Sequence, residues 1–122
     1  MLTPRDIQRL SGVHSDLARV ITRARERADF IVTEGMRMVA RQKELVAAGA
    51  SQTMASRHLT GHAVDLAALV AGKVRWDWPL DTALGAAVKR AAVEEDVAIT
   101  WGGDWPRFRD GPHFELDRKR YP

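Results

Sequence analysis

The sequence contains no cysteine, which excludes disulfide bonds and thiolate metal ligands. A metal bound by this chain must therefore use histidine, carboxylate or backbone oxygen. No segment approaches the roughly 20 apolar residues that a membrane span needs. The charged first ten residues also lack the apolar centre of a secretory signal. We therefore expect no signal peptide, no membrane insertion and a protein that stays in the cytoplasm until it is released.

The composition predicts one compact globular unit. The chain has 122 residues, of which 45% are hydrophobic and 29% are charged. This length is sufficient for a hydrophobic core but short for two folded modules, so we expect a single domain over residues 1–122. The net charge of +3 suits an anionic partner such as a bacterial envelope, although solvated surface arginines are the simpler explanation. We expect a monomer that binds no nucleic acid.

The hydrophobic pattern predicts an α+β fold, in which helices pack on a small, mainly antiparallel sheet. Helical periodicity or capping residues predict four helices: one beginning at Thr3-Pro4, then 15–27, 38–48 and 79–94. Alternating or β-branched runs predict four strands: 30–33, 63–66, 97–101 and 113–116.

Two segments concentrate side chains that can bind a metal, 56–65 and 110–115. His58, Asp65 and His113 would give a tetrahedral zinc two imidazoles and one carboxylate, with a fourth position open for water. The same three groups could also form the facial triad of a non-haem iron(II) oxygenase. A third possibility is a zinc ion that only stabilises a binding module, which would need no catalytic acid.

Further residues beside these segments fit a hydrolase. Asp110 lies three residues before His113 and could exchange protons with a water molecule. Arg37 carries a permanent charge that could stabilise an oxyanion. Ser56 has no Gly-x-Ser-x-Gly elbow around it, so we expect a supporting hydrogen bond rather than a nucleophile.

The segment 56–65 resembles the Ser-x-His-x-x-Gly-x-Ala-x-Asp signature of the zinc D-alanyl-D-alanine carboxypeptidase and L-alanyl-D-glutamate endopeptidase family. All five named positions match. Arg37, Gln42 and Gly49 are similar to the family's lead-in, and the run 101–105 resembles its approach to the last ligand. The resemblance extends over about residues 17–116. Met36 departs from it, since an aromatic residue is more common there.

The resemblance implies a domain of the hedgehog/DD-peptidase type that binds Zn²⁺ through His58, Asp65 and His113. It assigns the catalytic carboxylate to Asp110 and the oxyanion contact to Arg37. Substrate-binding or supporting positions would be Ser56, Gln42, Trp101 and Trp105.

The His-Phe-Glu and Trp-Gly-Gly runs look most like those of the bacteriophage endolysin branch. This branch implies hydrolysis of the L-alanyl-D-glutamate bond in the stem peptide of bacterial peptidoglycan. It also implies synthesis in the host cytoplasm and access to the wall through a holin or lysis. The alternatives are a D-alanyl-D-alanine carboxypeptidase or dipeptidase of the same family, and a non-catalytic wall-binding module.

Overall fold

The computed structural model describes residues 1–51 and 53–122. Within them the helices are α1 (Pro4–Arg9), α2 (Ser15–Ala24), α3 (Val39–Ala47) and α4 (Trp78–Glu95). The strands are β1 (Phe30–Glu34), β2 (Ala63–Val70), β3 (Lys73–Arg75), β4 (Ile99–Trp101) and β5 (His113–Leu116). Two 3₁₀ helices occupy Arg57–Thr60 and Gly102–Asp104.

All the strand pairs of the sheet are antiparallel. The strand order is β1-β2-β5-β4, and β3 pairs with the C-terminal end of β2 as a hairpin. The described residues combine α-helices with one small antiparallel sheet, which confirms the predicted α+β fold.

The core lies between one face of the sheet and the two longest helices. On α2 the buried residues Leu17, Val20, Ile21 and Ala24 recur at helical spacing and form one apolar stripe that faces inward. Helix α2 packs on α4, and α4 contacts β2 and β4. The sheet contributes alternate residues to this core, among them Phe30, Leu66, Phe114 and Leu116.

A capping box ties the N-terminal helix to the sheet. Thr3 and Asp6 cap α1 reciprocally, as the Thr-Pro sequence predicts. The Asp6 carboxylate also accepts a hydrogen bond of 2.9 Å from the backbone amide of Val32 in β1. Burial raises the pKa of Asp6, but the hydrogen bonds from Val32 and Thr3 outweigh burial and lower it.

Several bounds differ from the sequence prediction, including that of β4, which begins at Ile99 instead of residue 97. Strand β2 continues to Val70, and the short strand β3 that pairs with this extension was not predicted. Its three residues are all exposed, so they carry no alternating signal. Helix α2 ends at Ala24 instead of about residue 27. In the part of the chain that the structure describes, no helix is long and apolar enough to cross a membrane.

Candidate metal centre

The register of the sheet brings four acidic or imidazole side chains to one face. Asp65 in the middle of β2 is paired with Glu34 of β1 on one side and with His113 of β5 on the other. Residues that lie directly opposite each other on neighbouring strands project from the same face. Glu115, two residues after His113, therefore shares this face, which is opposite to the core face.

The 3₁₀ helix Arg57–Thr60 adds His58 to the group. The side chain of Ser56 caps this helix and accepts a hydrogen bond of 3.3 Å from the amide of His58. The ring nitrogen Nδ1 of His58 lies 2.9 Å from the carbonyl oxygen of Gly35. Gly35 must be a glycine, since a Cβ atom there would lie 2.0 Å from the carbonyl oxygen of Arg9.

His58, Asp65 and His113 each offer one ligand atom, and these atoms lie within 4.8 Å of one another. Nε2 of His58 is 3.2 Å from Oδ1 of Asp65, and Nδ1 of His113 is 3.4 Å from the same oxygen. The second nitrogen of each ring points away to a hydrogen-bond acceptor, Gly35 or Glu115. When each ring carries one proton, on the nitrogen that faces its acceptor, the two nitrogens beside Asp65 have free lone pairs and the donor set fits a divalent metal ion; for His113 this requires loss of a second proton.

Glu115 is a buried carboxylate behind His113. Its Oε1 atom lies 2.9 Å from Nε2 of His113, and Oε2 lies 3.1 Å from Nε of Arg118. Burial lowers the pKa of His113, but the hydrogen bonds with Asp65 and Glu115 outweigh burial and raise it to about 9. Burial raises the pKa of Asp65, and the hydrogen bonds with His113 and His58 outweigh burial and lower it. The Asp65 carboxyl group is therefore ionised at neutral pH.

Arg37 lies on the wall beside Asp65 and is almost completely buried. Its Nε and Nη2 atoms donate to the two carboxylate oxygens of Glu34 at 2.8 and 2.6 Å. Its Nη1 atom donates to Gln42 at 2.7 Å, and Nη2 is 3.8 Å from Asp65 Oδ2. The Gln42 amide donates in turn to Ser51 Oγ and to the carbonyl oxygen of Thr53. Three of the five guanidinium N–H groups are engaged in this way, and the other two have no hydrogen-bond partner among residues 1–51 and 53–122.

Asp110 reaches the site from the turn before β5. Its amide donates to the carbonyl oxygen of Gly102 at 3.0 Å, and a Cβ atom on Gly102 would lie 2.4 Å from the Asp110 carbonyl oxygen. The indole of buried Trp101 donates to the carbonyl oxygen of Gly111 at 2.7 Å. Burial, followed by the charge of Asp65, raises the pKa of Asp110.

A cavity of about 480 Å³ opens over these residues. Its lining includes the three metal-capable residues together with Arg37, Asp110 and Trp105. The Trp105 ring lies 4.9 Å from that of His113. Trp101 is absent from the lining and supports the turn from the core side. The residues nominated from the sequence are therefore together in space, with Ser56, Gln42 and Trp101 as supports.

Sequence reasoning missed Glu34, the Gly35 carbonyl group and Glu115. Glu115 could have been found, because alternation in the last strand places it on the same face as His113. Glu34 and Gly35 gave no such signal, since their contacts depend on the bulge that ends the pairing of β1 with β2. The remaining histidine of this region, His62, forms a hydrogen bond with the Thr60 hydroxyl group and does not line the cavity.

Comparison with known proteins connects this site to a family. Residues 1–121 match the family described as phage L-alanyl-D-glutamate peptidase. The chain belongs to this family. It is 32% identical over 120 residues to the L-alanyl-D-glutamate peptidase of Escherichia phage T5, covering 93% of this chain and 87% of the relative. The predicted family and enzyme class, a peptidase, are confirmed.

Two further relatives extend the likeness beyond phages. The peptidoglycan L-alanyl-D-glutamate endopeptidase CwlK of Bacillus subtilis (strain 168) is 29% identical over 129 residues, covering 95% of this chain and 77% of the relative. The crystal structure of the Serratia marcescens L-Ala D-Glu endopeptidase ChiX superposes with a TM-score of 0.93 at 50% identity. That match covers 99% of this chain and 92% of the other.

Proposed function

We propose that this protein is a zinc-dependent, endolysin-like endopeptidase that hydrolyses the L-alanyl-D-glutamate bond of the peptidoglycan stem peptide. The observation that carries the proposal is the convergence of His58, Asp65 and His113 beneath an open cavity. Its support in the comparisons is that the three relatives described above have L-alanyl-D-glutamate peptidase or endopeptidase in their names. The domain over residues 1–122 would be the catalytic domain.

His58, Asp65 and His113 would hold the zinc ion. Zinc is proposed because two imidazoles and one carboxylate are a typical catalytic ligand set for this ion, and cysteine is absent. When bound, it would supply Lewis acidity toward the scissile carbonyl group and lower the pKa of water. Gly35 and Glu115 orient the two imidazoles, so the ligand set is fixed before any substrate arrives.

Asp110 would move the proton. Hydrolysis forms a bond between a water oxygen and the alanyl carbonyl carbon, and then breaks the bond from that carbon to the glutamyl nitrogen. The Asp110 carboxylate would take the proton of the attacking water and return it to the departing amine. Burial raises the pKa of Asp110 toward neutral pH, which favours both uptake and release of a proton by its carboxyl group.

Arg37 would stabilise the negative charge that develops on the alanyl oxygen. The bidentate pair with Glu34 and the bond to Gln42 fix the plane of its guanidinium group. A fixed donor needs little reorganisation when charge develops, and this is the main advantage of such groups in catalysis. Trp105 beside His113 offers an apolar surface for the substrate.

Access to the wall is the remaining part of the proposal. The resemblance to phage enzymes suggests synthesis in the host cytoplasm and release through a holin or at lysis. A D-alanyl-D-alanine carboxypeptidase is the second candidate, and the names of the relatives favour the endopeptidase over it.

Digestion of purified peptidoglycan, followed by mass spectrometry of the released fragments, tests the proposal. We expect new amino termini at glutamyl residues and new carboxyl termini at L-alanine, and no release of terminal D-alanine. A zinc chelator should stop the reaction, and added zinc should restore it. Release of D-alanine alone would replace the proposed specificity with that of the carboxypeptidase.

A further inference from the structure

Four arginines line the cavity: Arg37, Arg57, Arg109 and Arg118. Three of them form ion pairs with Glu34 or Glu115, which also line it. Arg109 is the exception, because it forms no ion pair with any carboxylate of residues 1–51 and 53–122. Its positive charge is therefore the one that the described protein leaves uncompensated among these four side chains.

The guanidinium group of Arg109 is nonetheless held in place. Its Nε atom donates to the carbonyl oxygen of Gly103 at 2.9 Å, and its central carbon lies 4.5 Å from the centre of the Trp78 ring. The stack and the hydrogen bond together restrict the plane of the group. Neither Nη atom has a hydrogen-bond partner among the described residues, so these donors can bind a carboxylate.

Arg109 lines the same cavity as Asp110 and directly precedes it in the chain. Its neighbour Asp110 is the proposed donor of a proton to the departing amine, and consecutive Cα atoms are about 3.8 Å apart. In the proposed geometry, the part of the substrate that carries this amine lies within reach of the Arg109 side chain, which lines the same cavity. In an L-alanyl-D-glutamate bond, that part is the glutamyl residue.

The glutamyl residue carries one negative charge, on a carboxyl group that takes no part in the scissile bond. Its nitrogen forms the scissile bond and one of its two carboxyl groups continues the peptide, so the other is free and ionised at neutral pH. We propose that Arg109 binds this free carboxylate and makes the enzyme prefer stem peptides with an acidic glutamyl residue over those in which this carboxyl group is amidated. The inference rests on the proposed function, since it assumes that the glutamyl side of the bond leaves.

Two synthetic stem peptides that differ only in amidation of the free glutamyl carboxyl group test the inference. The zinc-loaded parent should cleave the acidic peptide with the higher kcat/KM. Arg109→Gln should lower kcat/KM for the acidic peptide about 10- to 100-fold, the usual effect of losing a hydrogen bond to a charged group. For the amidated peptide it should change kcat/KM by less than about threefold, so that the preference disappears.

Arg107→Gln is the matched control, because it removes the same charge from the same loop at a residue that does not line the cavity. It should keep the parent's preference. Arg109→Lys retains the charge without the planar fork and should keep only part of the preference. Zinc content and the thermal midpoint of unfolding should be the same in all variants.

The outcomes separate the inference from the function beneath it. If the parent cleaves both peptides equally well, or if Arg109→Gln slows both equally, the inference is wrong and the proposed function stands. The inference is also wrong if Arg118→Gln removes the preference and Arg109→Gln does not. If the parent cleaves neither peptide at the alanyl-glutamyl bond, the proposed function fails and the inference fails with it.

Discussion

The charged side chains on the two walls of the cavity differ in whether they have hydrogen-bond partners. On the wall formed by β1, β2 and β5, each imidazole has an outer acceptor and Arg37 is held by Glu34 and Gln42. On the second wall, formed by the turn before β5, the carboxylate of Asp110 forms no hydrogen bond with the described residues. Behind it, Oδ1 of buried Asp81 has no partner within the same residues.

This difference separates two tasks. Groups that bind an ion or stabilise charge work best when their orientation is fixed in advance, and hydrogen bonds do this. A group that transfers protons must accept and release one in each cycle, and strong hydrogen bonds to its charged form would lower its pKa too far. We therefore expect substitutions on the first wall to change metal binding, and those on the second to change turnover or stability.

The largest effect should come from His58→Ala on the first wall. It removes one of the three proposed ligands, so zinc binding and peptidoglycan hydrolysis should both be lost. Metal analysis after dialysis measures zinc binding, and a turbidity assay on purified peptidoglycan measures hydrolysis. His62→Ala is the matched control, since this nearby histidine bonds to Thr60 outside the cavity, and it should keep both. Bound zinc in a fully active His58→Ala variant would contradict the ligand assignment.

Asp110→Asn should give the next largest effect and lower turnover without loss of zinc. The amide has the same shape but cannot take a proton from water, so kcat should fall by about 10² to 10⁴. Zinc content should equal that of the parent, because Asp110 is not among the three clustered metal-capable residues, and the variant should unfold at a midpoint no lower than that of the parent. If the variant digests purified peptidoglycan as fast as the parent, another group must transfer the proton.

Glu115→Gln should have a smaller effect, on metal affinity. A neutral amide oxygen accepts the His113 hydrogen bond less strongly than a carboxylate, so the imidazole becomes a weaker ligand. Loss of such an outer partner typically lowers metal affinity about 10- to 100-fold, which competition with a chelator measures. Glu95→Gln, which disturbs an ion pair between α2 and α4, should leave the affinity unchanged. Equal affinity in both variants would mean that Glu115 serves the fold alone.

Most of the fold could be predicted because its signals are local. The capping box at Thr3, the apolar stripe of α2 and the alternation in β5 each appear within a few residues of sequence. Strand β3 could not be predicted, since its three residues are exposed and only pairing with β2 defines them. The early end of α2 at Ala24 could not be predicted either, because capping and packing decide where a helix with a periodic pattern stops.

The sequence suggested the metal-capable and catalytic candidates of the site, but not the contacts that orient them. The spacing of His58, Asp65 and His113 fits no single helix or strand, so residue chemistry left several functions open for this group, and the family resemblance selected among them. Their orientation depends on contacts with Gly35 and Glu115, and the former crosses between distant segments. Such contacts follow from sheet register and a bulge, which residue patterns alone do not determine.

The smallest effect should come from Asp81→Asn, which tests whether the second wall carries a cost in stability. Asp81 lies in the first turn of α4 against Gly111, where an added Cβ atom would be 2.5 Å from Oδ2. An unpartnered buried charge costs about 1 to 3 kcal/mol, more than the roughly 0.3 to 1 kcal/mol that the α4 dipole returns. The free energy of unfolding at pH 7 should therefore rise by about 1 kcal/mol.

The pH dependence of this gain follows from the pKa of Asp81, which burial and then the charges of Asp110 and Asp77 raise above 3.8. The folded protein then binds the proton more tightly than the unfolded chain, so the parent loses stability as pH rises through the interval above 3.8. The advantage of Asp81→Asn should be full above the folded pKa and vanish below 3.8. Urea unfolding from pH 3.5 to 7 measures it. A variant less stable than the parent at pH 7 would show that Asp81 supports the turn at Gly111, and that both walls are equally satisfied.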